Sequence, residues 1–164
     1  MQERDLECRI ALRSTAVSAM PEEAKTFEIV LAEDSLEDAE LVRLALEEYH
    51  VNCRLRVITD GAGAIEFLNN LDGDAKAPPL DLLLVDIRLP RRDGEDILKC
   101  LRSTERYAQT PVIVISGLNL PEVDETATRY AALVYFRKPA TFDGYMQLGS
   151  IVRSVLEKKS RGVA

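Results

Sequence analysis

The chain holds 164 residues, enough for one domain with a full core, and its 28 acidic against 21 basic residues leave a net charge of −7. That balance argues against nucleic acid or an anionic membrane surface as the main partner. No apolar run approaches the roughly 18 residues that cross a bilayer, and the charged opening Glu3, Arg4, Asp5 and Glu7 makes a poor secretory signal.

Residues 1–25 show no clean period and are expected to be a mobile N-terminal extension. They contain Cys8; with Cys53 and Cys100 the cysteines are odd in number and far apart, which fits inert thiols in a reduced cytoplasmic setting. The domain is read over 26–158, with a tail at 159–164. Phe27 to Ala32 is the first strand. Glu33-Asp34 ends it, and Ser35 caps a first helix running to about Glu48, with Asp38 completing a capping-box-like pattern. Ala39, Val42, Leu46 and Tyr49 recur at helical spacing. His50, the sole histidine, argues against a His-based triad or a His-rich metal site.

Cys53 to Ile58 alternates, Leu55 and Val57 against Arg54 and Arg56, as a half-exposed edge strand does. Asp60-Gly61 leads into a second helix with Ile65, Leu68 and Leu71 inward. The third strand, Leu80 to Val85, is a continuous apolar run of the kind buried on both faces, and it ends on Asp86. A third helix follows over about Gly94 to Ser103. Val112 to Ile115 is the fourth strand, ended by Ser116-Gly117. A fourth helix is expected from Pro121, with Val123, Ala127 and Tyr130 as a thin apolar stripe. The fifth strand, about Leu133 to Phe136, leads into Arg137-Lys138-Pro139 and a last helix from Phe142 to Lys158.

Five β-α units imply an α/β fold: a doubly wound parallel sheet with right-handed crossovers and strand order 2-1-3-4-5. The switch point then lies between the first and third strands, where Glu33, Asp34 and Asp86 meet. Each polar group has a bland reading alone. Glu33-Asp34 suits a helix N-terminus, Asp86 and Ser116-Gly117 suit turns, and Lys138 suits a solvated surface. Their arrival together at strand carboxyl ends favours a joint reading. Clustered carboxylates need a cation or shifted pKa values, and an all-oxygen site suits Mg²⁺. With Lys138 as a fixed charge and Ser116 as a hydroxyl, the set fits phosphoryl transfer.

On these residues the chain resembles the receiver domains of two-component response regulators, with a flavodoxin-like fold. The matching stretches are Ile29-Val30-Leu31-Ala32-Glu33-Asp34-Ser35, Asp60-Gly61, Pro79-Leu80-Asp81, Leu89-Pro90 with Asp93-Gly94, and Lys138-Pro139. In detail it looks closest to the stand-alone regulators of bacterial and cyanobacterial phytochrome-type histidine kinases. The resemblance implies a phosphorelay in which Asp86 accepts a phosphoryl group from a sensor histidine kinase. It implies Mg²⁺ held by Glu33, Asp34, Asp86 and the backbone carbonyl of Arg88. It also implies Ser116 and Tyr135 as switch residues, Lys138 as the pairing cation, and a cis Lys138–Pro139 bond. Such a protein turns over no substrate beyond phosphotransfer to, and autodephosphorylation of, its own Asp. It signals through a downstream protein.

Two features depart from the family pattern: Ala131-Ala132-Leu133 before the fifth strand, and Arg88 where the phytochrome-linked members commonly carry Asn. Apolar residues surround more than half of the last helix. Tyr145, Gly149, Val152 and Leu156 are expected to face the sheet. Leu148, Ile151 and Val155 form either a wide core face or a homodimer contact through the helix 4–strand 5–helix 5 face. Two rival functions remain. An aspartate-nucleophile phosphatase needs a second Asp two residues after the nucleophile, and here that residue is Arg88. A receiver-fold scaffold that never takes phosphate has no use for the full set Glu33, Asp34, Asp86, Ser116 and Lys138.

Overall fold

The computed structural model describes residues 8–9, 25–117 and 128–162. Its elements are β1 (Cys8–Arg9), β2 (Phe27–Ala32), α1 (Leu36–Glu48), β3 (Cys53–Ile58), α2 (Gly61–Gly73), β4 (Leu82–Asp86), α3 (Gly94–Ser103), β5 (Val112–Ser116), β6 (Val134–Arg137) and α4 (Phe142–Ser160). The continuous apolar runs become the middle of the sheet: every residue of β4 and β5 is buried. Successive side chains point to opposite faces, so each of these strands feeds two cores. Leu31, Leu84 and Ile113 pack beneath α1 and α4 with Leu46, Leu148 and Leu156. Val30, Leu83 and Val114 pack on the other side with Leu68, Ile97 and Leu101 of α2 and α3. Burying one such side chain fully contributes about 1.5–3 kcal/mol.

The sheet order is β1-β3-β2-β4-β5-β6. The five parallel strands β3, β2, β4, β5 and β6 reproduce the predicted order 2-1-3-4-5. One strand was not foreseen. Cys8 and Arg9 pair antiparallel with Leu55 and Arg54, so two residues of the N-terminal segment cover part of the β3 edge. An open edge leaves backbone N–H and C=O groups unpaired, and these residues satisfy some of them. No two-residue pairing of this kind leaves a periodic signal in the sequence.

Side-chain oxygens cap each of the four helices among the described residues. Ser35 accepts from the Asp38 N–H, Asp60 from Gly63, Asp93 from Asp96 and Thr141 from Gly144. Such caps are worth about 1 kcal/mol each. They also fix where each helix leaves the carboxyl end of its strand.

Several local expectations change. The third parallel strand of the sequence reading begins at Leu82 instead of Leu80, and the last begins at Val134 instead of Leu133, which is 61 % exposed. The last helix runs to Ser160, past the expected boundary at Lys158. On α4, Leu148 and Val155 are buried and Ile151 packs against the same core, so the wide core face is the correct reading of the second stripe. The cause is α1, which lies beside α4 and adds Ala39, Val42, Ala45 and Leu46 to the surface that α4 covers. The helix expected from Pro121, with Val123 and Ala127, lies outside the described residues. Among the described residues no helix is long and apolar enough to cross a membrane.

Candidate functional site

β2 and β4 are neighbours, with Ala32 opposite Val85, and the chain leaves them in different directions. The next residues, Glu33 and Asp86, therefore meet at the switch point. Carboxylate oxygens of Glu33, Asp34 and Asp86 lie within 4.8 Å of one another. Glu33 and Asp86 are buried and Asp34 is exposed. Asp86 Oδ1 accepts the backbone N–H of Arg88 at 2.9 Å. Glu33 Oε1 accepts that of Ser35 at 3.1 Å.

Lys138 enters from the end of β6. Its backbone N–H donates to the Ser116 carbonyl at 2.9 Å, which extends the β5–β6 pairing to the lysine itself. Its ammonium lies 2.6 Å from Asp86 Oδ2, 2.7 Å from Glu33 Oε2 and 2.7 Å from Asp38 Oδ2. An ammonium carries three N–H groups, and three carboxylates surround this one. The reach to Asp86 is achieved across a trans Lys138–Pro139 bond, since no cis peptide occurs among the described residues. The expectation of a cis bond is therefore wrong: the strand pairing and the lysine's own length suffice to deliver the charge.

Burial is the largest influence on both charged groups. It drives the Glu33 carboxyl above its ordinary range, and contacts with Lys138 and Ser35 only partly offset it. For Lys138 burial works against the charge, but Asp38, Asp86 and Glu33 together outweigh it and hold the ammonium well above the usual lysine value. Glu33 Oε2 makes its ion pair yet receives no hydrogen bond of good geometry. A buried acceptor in that condition, beside two more carboxylates, fits a hard divalent cation.

The loop after β4 is shaped by a close approach. A Cβ on Gly94 would stand 2.3 Å from the Asp86 carbonyl oxygen, so only glycine lets α3 begin so near the acid. The Gly94 N–H donates to the Ile87 carbonyl at 2.8 Å and turns the loop back. Arg88 projects an exposed side chain from this loop. Ser116 ends β5 and is buried. The half-buried Tyr135 points its hydroxyl at the Ser116 carbonyl, 3.4 Å away.

All seven residues singled out from sequence thus lie at the carboxyl ends of the strands or in the loops that follow, apart from Tyr135 within β6. The sequence reading missed one participant. Asp38 was assigned only to a cap, although it falls one helical turn beyond Asp34 and so faces the same pocket.

This arrangement is that of a receiver domain. The family model for the response regulator receiver domain matches residues 29–148, and the chain belongs to that family. Among individual proteins, it is 30 % identical over 117 residues to the probable methanogenesis regulatory protein FilR2 of Methanothrix harundinacea, covering 71 % of this chain and 75 % of FilR2. It is 31 % identical over 88 residues to the response regulator Rcp1 of Synechocystis, covering 54 % of this chain and 60 % of Rcp1. The phosphorylated cyanobacterial phytochrome response regulator RcpA superposes with a TM-score of 0.72 at 24 % identity, over 82 % of this chain and 96 % of that one, which establishes likeness of fold.

Proposed function

We propose that this receiver domain accepts a phosphoryl group on Asp86 from a partner sensor histidine kinase in a Mg²⁺-dependent, in-line transfer. The observation that carries the reading is the ammonium 2.6 Å from a carboxylate that shares a 4.8 Å cluster with two others, at the sheet's switch point. An Asp86 oxygen forms the new O–P bond as the kinase's N–P bond breaks, and the imidazole keeps the bonding electron pair. Lys138 faces the phosphoryl oxygens and stabilises the charge they carry. Ser116, with Tyr135 behind it, reports the new group to the β5–β6 face. Glu33, Asp34 and Asp86, with the Arg88 carbonyl, are the residues to hold Mg²⁺, which neutralises charge on the transferring phosphoryl group.

The only chemistry assigned is this self-phosphorylation and the later hydrolysis of the aspartyl phosphate, in which water breaks the O–P bond and releases inorganic phosphate. Arg88 occupies the position where a phosphatase would need its general acid. Phytochrome-type pairing of the kinase is supported by the likeness to Rcp1 and RcpA, and a cytoplasmic setting by the partner chemistry. A homodimer through the helix expected from Pro121, β6 and α4 has weaker support, because Leu148 and Val155 of α4 are spent on the core. The test is intact mass after incubation with acetyl phosphate and Mg²⁺. Wild type should gain one phosphoryl group and Asp86→Asn none; equal gain by the two, or none by wild type, overturns the assignment.

A further inference from the structure

The acid missed in the sequence has a role that neither a helix cap nor a metal site supplies. Asp38 caps nothing with its carboxylate: the cap at this end is the Ser35 hydroxyl accepting the Asp38 backbone N–H at 3.2 Å. The carboxylate points instead at Lys138, 2.7 Å from the ammonium. It is also outside the carboxylate trio that lies within cation-binding distance. The other two partners of the ammonium, Glu33 and Asp86, belong to that trio. When they turn to a metal ion, Lys138 keeps one anionic partner.

A second observation marks this as a built position. The Tyr145 hydroxyl of α4 is buried and makes no hydrogen bond. Burial first, and then the neighbouring Asp38 carboxylate, raise its pKa. A buried hydroxyl without a partner is costly, and the Asp38 carboxylate is the largest acid influence on this one.

We propose that Asp38 is a positioning residue that anchors the Lys138 ammonium in the metal-loaded site, so that two of its N–H groups are free to meet an incoming phosphoryl group. The inference rests on the acceptor reading above for its consequence, but not for its geometry. A counter-effect exists, because Asp38 adds negative charge near a phosphoryl dianion. The anchor outweighs it if removal of Asp38 slows acceptance, since misplacing a reacting partner by about 1 Å can cost a hundredfold in rate.

The experiment uses the full chain with ¹⁵N-labelled lysine. The ammonium signal of Lys138 is identified by its loss in Lys138→Met. In wild type a slowly exchanging signal should persist with and without Mg²⁺. In Asp38→Asn it should persist without metal, where Glu33 and Asp86 still hold it, and broaden away with Mg²⁺. A general loss of structure would remove it in both states, and Asp38→Glu, which keeps the charge, should then restore it. Ser35→Ala strips the helix cap and should leave the signal intact. Acceptance from acetyl phosphate at saturating Mg²⁺ should fall by about tenfold in Asp38→Asn. A wild-type signal absent with Mg²⁺, an Asp38→Asn signal that survives Mg²⁺, or acceptance as fast as wild type overturns the anchor. If wild type takes no phosphoryl group, the acceptor assignment fails while the ammonium signal still decides the anchor.

Discussion

Replacing Lys138 by Met tests how the site is held together before any metal or phosphoryl group arrives. The substitution keeps the side chain's length and removes its charge. Glu33 and Asp86 are buried, and their oxygens lie within 4.8 Å. At that separation two unit charges repel by roughly 3.5 kcal/mol at an effective dielectric of about 20. Removing one partner of a buried ion pair costs about 3–5 kcal/mol on the same grounds. The metal-free variant should therefore lose about 3–4 kcal/mol near neutral pH, or about 10–15 °C in melting temperature for a domain of this size. Mg²⁺ should then act more strongly on the variant than on wild type. In wild type the cation must displace an ammonium from Glu33 and Asp86; in Lys138→Met the acids stand unpaired. Ligand at a hundred times its dissociation constant stabilises by about 2.7 kcal/mol, so the tighter site recovers most of the loss. Thermal melts in a chelator and in millimolar Mg²⁺ measure both effects. A metal-free variant that melts within about 2 °C of wild type, or equal Mg²⁺ shifts in the two proteins, would refute the reasoning.

Asp81 provides a pH-dependent test far from the site. Burial opposes its charge, but the Glu28 N–H, Lys159 and Lys25 more than compensate and lower its pKa from the ordinary 3.8. A lowered folded pKa means that the stabilisation is complete above the unfolded value and is lost as pH falls through the folded one. Asp81→Asn should cost about 2 kcal/mol at neutral pH, and urea midpoints of the two proteins should converge as pH drops below 3.8. Gly94→Ala should cost about 3 kcal/mol through overpacking and slow phosphoryl acceptance as well, because the methyl group collides with the backbone of Asp86 itself; a variant with normal stability and rate would show that the loop yields freely. Arg88→Asn should change the half-life of the phosphorylated protein without changing its melting point, since the exposed side chain stands two residues past the acceptor; equal half-lives would remove that role.

The parts of the fold that follow a repeating rule could be read from the sequence. Apolar runs of four or five residues, such as Leu82 to Val85, announced buried parallel strands because both faces of such strands are covered. Ser35 announced a helix start because its side chain bonds one of the first free N–H groups, and Asp60-Gly61 marked the turn into the next helix. The site was legible for the same reason: strand ends converge at a switch point, so Glu33, Asp86, Ser116 and Lys138 had to be near one another. What escaped depends on distance alone. Asp38 is one carboxylate among several on an acidic helix, and only the placement of Lys138 singles it out. The second stripe of α4 resembled a free surface because the sequence does not say that α1 lies beside it. Cys8 and Arg9 join the sheet through backbone groups, which every residue possesses.

The Asp81 carboxylate sits at the amino end of β4, the pole of the sheet opposite the acidic pocket. Its Oδ1 receives Lys25, two residues before the first long strand, at 3.2 Å, and Lys159, in the last turn of the last helix, at 3.1 Å. The two ends of the parallel α/β unit, residues 25–160, are thus clasped on one atom, and its backbone path is nearly a closed ring. A short linker can join position 25 to position 160 covalently, with new termini opened in the exposed loop at Asp74–Lys76. Such a permuted chain gives up β1 and keeps every neighbour among the five parallel strands and every acid of the pocket in place. Cargo fused just after α4 emerges beside Asp81, on the far side from Asp86, leaving the pocket's mouth clear for a docking partner.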